Sequence, residues 1–303
     1  MRTYRCPLAL APALAPALAL AIARDKPLAL AIARDKPSAL AIATDKYLGL
    51  APVPAIAIPK ANTRLLDWYQ HNSQLFGGSA KEWGWLTGEM IGPDSIMLDI
   101  GANVGIYAHG LLRTFPQVHV ISFEPIEQYA QFIRNHPLSN TQRLTVVALA
   151  MGHEPAPTNL TLLMDKSNLG WNTLHTSAAV IECAECMEAT QITSVSFDYY
   201  YSLRPELSGH KFGFIKIDTE GYEFRVLQGM RGFLTQKALA GQLPLMLIEV
   251  AWGPLKHPHW TEEVTALEWL ISLGYERPDY SVASTQDVWF VPLRKWPQHS
   301  VRL

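Results

Sequence analysis

The sequence is short of cysteine, of charge and of unbroken apolar runs, and each shortage removes a class of protein. Cysteine occurs only at positions 6, 183 and 186, too few for a disulfide-stapled scaffold. Charged residues make up 17% of the chain against 49% hydrophobic. That balance supplies a sizeable core and excludes a chain disordered throughout. The apolar stretch from Pro7 to Ala23 is seventeen residues and broken by prolines, so no stable membrane span is expected. Positive charge is scarce beyond the N-terminus. Eight of the 25 Lys/Arg lie in residues 1–60 beside three aspartates, which leaves 17 cations against 24 acids in the remainder. An acidic body lacks the footprint for gripping long nucleic acid, and no nucleic-acid partner is expected.

The N-terminus stands apart. Residues 18–27 read LALAIARDKP, residues 28–37 repeat the string unchanged, and residues 38–47 give SALAIATDKY. A ten-residue tandem copy does not match solenoid periods. Prolines at 7, 12, 16, 27, 37, 52, 54 and 59 interrupt any helix. Residues 1–60 are read as a low-complexity, Pro/Ala-rich segment with little order, and residues 61–303 as a folded domain. Arg2 and Arg5, the apolar run and Ala21-Ile22-Ala23 resemble a secretory signal. An organellar transit peptide and a meaningless repeat expansion fit as well, the last leaving a cytoplasmic protein.

From Asn62 onward the pattern is that of a globular α/β domain. Ile96–Ile100, Val118–Phe123, Leu144–Leu149, Phe214–Asp218 and Leu245–Val250 are apolar runs of strand length. The gaps between them have room for crossover helices, so a mostly parallel sheet with helices on both faces is expected. Residues 151–196 are more polar and read as an insertion, with short strands at Leu160–Met164 and Ile192–Phe197. Thr261–Leu273 reads as an amphipathic helix and Val288–Val291 as a last strand.

The first strand runs into Asp99-Ile100-Gly101-Ala102-Asn103-Val104-Gly105. Gly101 and Gly105 allow a tight turn and close approach of backbone to a ligand, and a following helix offers free amides. Glu124 ends the next strand in Ser122-Phe123-Glu124-Pro125, where an acid can accept hydrogen bonds from ribose hydroxyls. The loop lacks the G-x-G-x-x-G order of dinucleotide sites. It has instead an acid two residues before the first glycine. Asp99 could neutralise the ammonium of S-adenosylmethionine while a loop amide of Ala102 or Asn103 takes its carboxylate. This favours the methyl donor over a nicotinamide.

The stretches from Leu98 to Tyr107, Phe123-Glu124-Pro125, Ile215 to Glu223 and Leu227-Gln228-Gly229 resemble the FkbM-type methyltransferases. The resemblance spans roughly Met97 to Val250. It implies a Rossmann-like methyltransferase fold, S-adenosylmethionine as cofactor, and O-methylation of hydroxyls on sugars, glycans or small metabolites. One departure is visible. Ala148-Leu149-Ala150-Met151-Gly152 offers no acid or amide side chain to an adenine amino group.

Lys216, Asp218 and Glu220 follow at spacings of two. Asp218 and Glu220 end a strand on the same crevice as the loop and are the catalytic candidates. A partly buried carboxylate can act as general base, or the pair could hold a divalent ion that acidifies the acceptor hydroxyl. No residue is assigned as a metal ligand. The structural alternative is that Asp218 or Thr219 caps the next helix and Glu220 sits at its positive end. His109 is expected to be packed or solvated, and His257 and His259 to lie in a surface loop. Tyr199, Tyr200, Tyr201 and Trp252 could stack on a sugar or simply pack. Cys183-Ala184-Glu185-Cys186 has redox or half-zinc spacing. It lacks a partner pair and a strand-to-helix context, so two thiols in a loop are expected. The competing functional readings are a nicotinamide oxidoreductase and a non-catalytic methyltransferase-like binding module.

Overall fold

The computed structural model describes residues 30–32, 40–42, 63–75, 88–174, 183–250, 259–278 and 286–293. The chain divides into two compact units, Met1–Lys60 and Ala61–Leu303. In the first, β1 (Leu30–Ile32) and β2 (Leu40–Ile42) pair antiparallel, with Leu30 opposite Ile42. The same Leu-Ala-Ile triplet from successive repeats thus pairs with itself; the rest of the repeat segment lies outside the described residues.

The second unit opens with α1 (Thr63–Leu75) and the short α2 (Gly88–Ile91). Alternating units then follow: β3 (Ile96–Ile100), α3 (Ile106–Thr114), β4 (His119–Phe123), α4 (Glu127–Asn135) and β5 (Leu144–Val147). After an inserted segment come β10 (Phe212–Ile217), α6 (Glu223–Gly229), α7 (Arg231–Leu239), β11 (Leu245–Val250), α8 (Trp260–Leu273) and β12 (Gln286–Phe290). The insert itself holds β6 (Ala150–Gly152), β7 (Thr158–Asp165), β8 (Asn172–Thr173), β9 (Met187–Ser196) and α5 (Phe197–Ser202).

The main sheet has the order β12-β11-β10-β3-β4-β5, parallel throughout except for the antiparallel edge strand β12. It is an open, Rossmann-like α/β sheet. Every residue of β3 and β10 is buried, as strands covered on both faces must be. Alternation sorts their side chains between two cores. Ile96, Leu98, Ile100, Ile215 and Ile217 enter the core under α5–α8, whereas Met97, Phe214, Leu245 and Leu247 enter the one under α3. Each such aliphatic side chain contributes about 1.5–3 kcal/mol. The same alternation aims Asp99 and Lys216 at the α3 side. Chain order reverses between β3 and β10, so a crevice opens at their carboxyl ends, where such folds bind ligands.

The insert is more regular than its composition suggested. It forms a second sheet in the order β6-β9-β7-β8. Asn159, Thr161, Gln191 and Thr193 share one face and break up the apolar runs, so β7 and β9 exceed the short strands expected from the sequence. Phe197 does not end a strand but opens α5, because the Ser196 side chain accepts from Tyr199 N. Cys183 and Cys186 are not free thiols: they are disulfide-bonded at the start of β9. Among the described residues, no helix is long and apolar enough to cross a membrane.

Candidate active site

The turn after β3 is held in a conformation few side chains tolerate. Gly101 and Gly105 have φ of 78° and 82°, and Asn103 between them has φ of 51°. A Cβ at Gly101 would run into the carbonyl oxygen of Asp218, so glycine is what lets β3 and β10 end side by side. Gly101 N and Ala102 N donate to Phe123 O at 3.1 and 3.0 Å. Asn103 locks the other side, its Nδ2 donating to Leu169 O at 2.9 Å and its Oδ1 accepting from Val104 N at 2.8 Å.

Glu124 is drawn into the same loop. Its Oε2 accepts from Asn103 N and its Oε1 from Ile126 N, both at 2.8 Å. Burial pushes its carboxyl up to about 8, against the downward pull of those two amides. Gly101, Ala102, Asn103 and Glu124 all line one cavity of about 560 Å³, a size suited to a small-molecule ligand. Its other walls are Trp68 and Asn72 of α1, the Asn168–Asn172 turn, and the apolar Ala150, Met151, Leu162 and Ile192. Ala150 and Met151 of this wall come from the stretch that offered no polar side chain to an adenine.

Two loop residues sit elsewhere. Gly105 faces Ile133 and His109 rather than the cavity. Asp99 is fully buried, with Oδ2 accepting from Ala108 N at 3.1 Å and Oδ1 lying 3.8 Å from Lys216 Nζ. It is not among the residues that line the cavity, whereas the expectation from sequence set it against a ligand's ammonium. The pleat of β3 turns it under α3, where it fixes that helix and Lys216.

The acidic end of the cavity is richer than the sequence indicated. Asp218, Glu220, Glu249 and Asp287 line it together with Lys216 and Tyr107. Lys216 Nζ lies 3.0 Å from Asp218 Oδ2 and 4.2 Å from the centre of the Tyr107 ring. Burial opposes the charge on this lysine, but Asp218 and Asp99 overcome it and hold the ammonium above its ordinary range. Glu220, at φ of 54°, has its carboxyl pushed well up by burial and then by Asp218 and Glu223. Glu249 is pushed up in the same way, by burial and then by Asp218 and Glu220.

Neither Asp218 nor Thr219 caps α6. Glu223, the first residue of α6, instead ties down the loop before the helix: its Oε1 accepts from Thr219 N, Thr219 Oγ1 and Gly221 N at 2.6, 3.0 and 3.2 Å. Asp218 and Glu220 line the cavity on either side of Thr219. The sequence reading missed Glu223, Glu249 and Asp287. A lone acid inside the apolar run Leu245–Val250 was the available signal for Glu249.

His109 is buried rather than solvated, between Tyr69 Oη at 3.1 Å and Ser139 Oγ at 2.9 Å, and stacks on His136. Tyr200 and Tyr201 pack around Phe197, away from the cavity. His257 and Trp252 lie outside the described residues, while His259 lies against Phe224.

Residues 99–276 match the family described as the methyltransferase FkbM domain. Among curated proteins, Methyltransferase 1 of Beauveria bassiana is 24% identical over 148 residues, 45% of this chain and 59% of that protein. Methyltransferase sdnD of Sordaria araneosa is 23% identical over 154 residues, 44% of this chain and 60% of that protein. The matched part thus spans about three-fifths of these relatives' length. Among solved structures, the methyltransferase FkbM from Methylobacillus flagellatus is 15% identical, with TM-score 0.42 and coverage of 76% of this chain and 60% of that one. An O-methyltransferase from Bacillus cereus in complex with SAH is 11% identical, with TM-score 0.40 and coverage of 78% and 91%.

Proposed function

The chain belongs to the FkbM methyltransferase family, and from that premise we propose that residues 61–303 transfer a methyl group from S-adenosylmethionine to a hydroxyl of a sugar, glycan or small metabolite. The observation that carries this is that one cavity has two chemically different ends. One end is the glycine turn with Glu124, and the other is the carboxylate cluster around Asp218.

The first end fits the cofactor. Gly101 leaves backbone bare where a Cβ could not stand, and the Ala102–Asn103 segment borders the cavity. Both oxygens of Glu124 are pinned by amides, which fixes the carboxylate while each oxygen keeps a lone pair for a ribose hydroxyl. Ala150, Met151, Leu162 and Ile192 offer an apolar slot for a flat base. When bound, S-adenosylmethionine supplies a methyl group on a positively charged sulfur, electrophilic towards an oxygen nucleophile.

The chain's own task is then to position the acceptor hydroxyl and take its proton. Asp218 and Glu220 stand on the cavity wall next to the turn that holds the cofactor loop, within reach of an acceptor placed there. Lys216 orients Asp218 from below. Trp68 and residues of the Asn168–Asn172 turn add further wall to the same cavity.

The test is transfer of labelled methyl to a panel of hydroxylated sugars, glycans and metabolites, with wild type beside Asp218→Asn. Turnover is expected for wild type, and in the variant loss of turnover with cofactor affinity kept. Full activity of Asp218→Asn would remove it from the chemistry.

A further inference from the structure

Asp218, Glu220 and Glu249 each bring one carboxylate oxygen within 4.8 Å of the others. Carboxylates this close repel one another, and the surroundings add to it. Asp287 stands directly opposite Glu249 in the β11–β12 ladder, a like-charge pairing that is destabilising in itself. Lys216 answers only part of this charge, through Asp218 and Asp99. Among the described residues, neither Glu220 nor Glu249 has a cation within ion-pair distance. Glu249 carries the second observation. It lines the cavity, yet its Oε2 exposes no surface and accepts no hydrogen bond. A buried carboxylate oxygen without a donor is costly unless positive charge comes to it.

We propose that Asp218, Glu220 and Glu249 together bind one divalent cation of the hard, oxygen-preferring kind, such as magnesium or manganese. The donor set decides the class. Three carboxylates and, among the described residues, no histidine or cysteine in the cluster suit a hard ion rather than zinc or copper. Lys216 takes Asp218 Oδ2, which leaves Oδ1 for the ion. Three protein ligands do not fill an octahedral shell, so the remaining positions face the cavity and are open to water or to two neighbouring oxygens of an acceptor. An acceptor with adjacent hydroxyls would be held as a chelate, and the ion would lower the pKa of the hydroxyl to be methylated. The ion's binding stands on the carboxylates alone, whereas its use by a hydroxyl rests on the methyltransferase reading.

The experiment is titration of the full chain with manganese, following free ion by electron paramagnetic resonance, beside calorimetry with S-adenosylmethionine. One manganese per chain is expected, displaced by magnesium and weakened about tenfold or more in Glu249→Gln and Glu220→Gln. Thermal melts show that these variants are folded. Without metal they should melt no lower than wild type, because a repelling charge has gone, and only wild type should gain stability from manganese. No binding up to about 1 mM, or binding unchanged in both variants, overturns the site. Cofactor binding without manganese would sink the metal site and leave the methyltransferase reading standing; manganese without cofactor binding would do the reverse.

Discussion

Replacing Lys216 by methionine removes the one cation among the described residues that line the cavity while keeping most of its apolar volume. The loss falls on Asp99, which is fully buried and 3.8 Å from the lysine nitrogen. At an effective dielectric constant of about 20, that separation corresponds to about 4 kcal/mol of attraction. Breaking a buried pair from one side costs about 3–5 kcal/mol, since the remaining charge is left uncompensated. Asp99 has one escape, which is to take up a proton. From an ordinary carboxylate value, protonation at pH 7 costs about 4 kcal/mol, and at pH 5 less than about 2 kcal/mol. The penalty should therefore be about 4 kcal/mol at pH 7 and roughly half or less at pH 5. Asp218 contributes little to it because its side chain is 30% exposed and water can cover it. Urea unfolding followed by tryptophan fluorescence, with Lys216→Met, Asp99→Asn and the double variant in a cycle, reads all of this. In the double variant most of the stability should return, because the neutral amide that replaces the Asp99 carboxylate can still accept from Ala108 N. A single variant within about 1 kcal/mol of wild type at pH 7, or a double variant no better than the single, would refute the reasoning.

Three further outcomes are expected. Gly101→Ala imposes a left-handed side chain, costing about 1–2 kcal/mol, and a collision with backbone that cannot swing away; melting should drop and calorimetric S-adenosylmethionine binding should vanish. Glu124 carries a proton below about 8 because burial disfavours its charge. Cofactor affinity should therefore rise as pH increases through that value, and Glu124→Gln should flatten the profile and weaken binding about tenfold. Burial holds His136 down at about 4 and His109 well below its usual value. The folded state thus binds fewer protons than the unfolded chain as pH falls from about 6.5 to about 4, and stability is lost across that window. The slope approaches about 2.7 kcal/mol per pH unit if both titrate together, and His136→Asn should roughly halve it in urea unfolding.

Much of the scaffold was legible because strands covered on both faces write themselves as apolar runs, as Ile96–Ile100 and Leu245–Val250 do. The glycine turn and Glu124 were legible because their spacing is local. What escaped depended on contacts between distant segments. β7 and β9 looked short because half of each strand faces water and is polar. The burial of Asp99 follows from which face of β3 meets α3. Glu249 and Asp287 join Asp218 only through the order β12-β11-β10, and Trp68 reaches the cavity from a helix that precedes the sheet altogether. The expected cap on α6 is absent because the helix starts only at Glu223, several residues past Asp218 and Thr219, and the Glu223 carboxylate holds the intervening loop through Thr219 N and Gly221 N.

The central claim is that the Gly101–Asn103 turn and Glu124 hold the methyl donor. Calorimetric titration of the full chain with S-adenosylmethionine and, separately, NAD tests it most directly. The account predicts one S-adenosylmethionine bound per chain, weakened in Glu124→Gln, and no heat from NAD. Binding of NAD alone, or S-adenosylmethionine affinity untouched by that substitution, would contradict it.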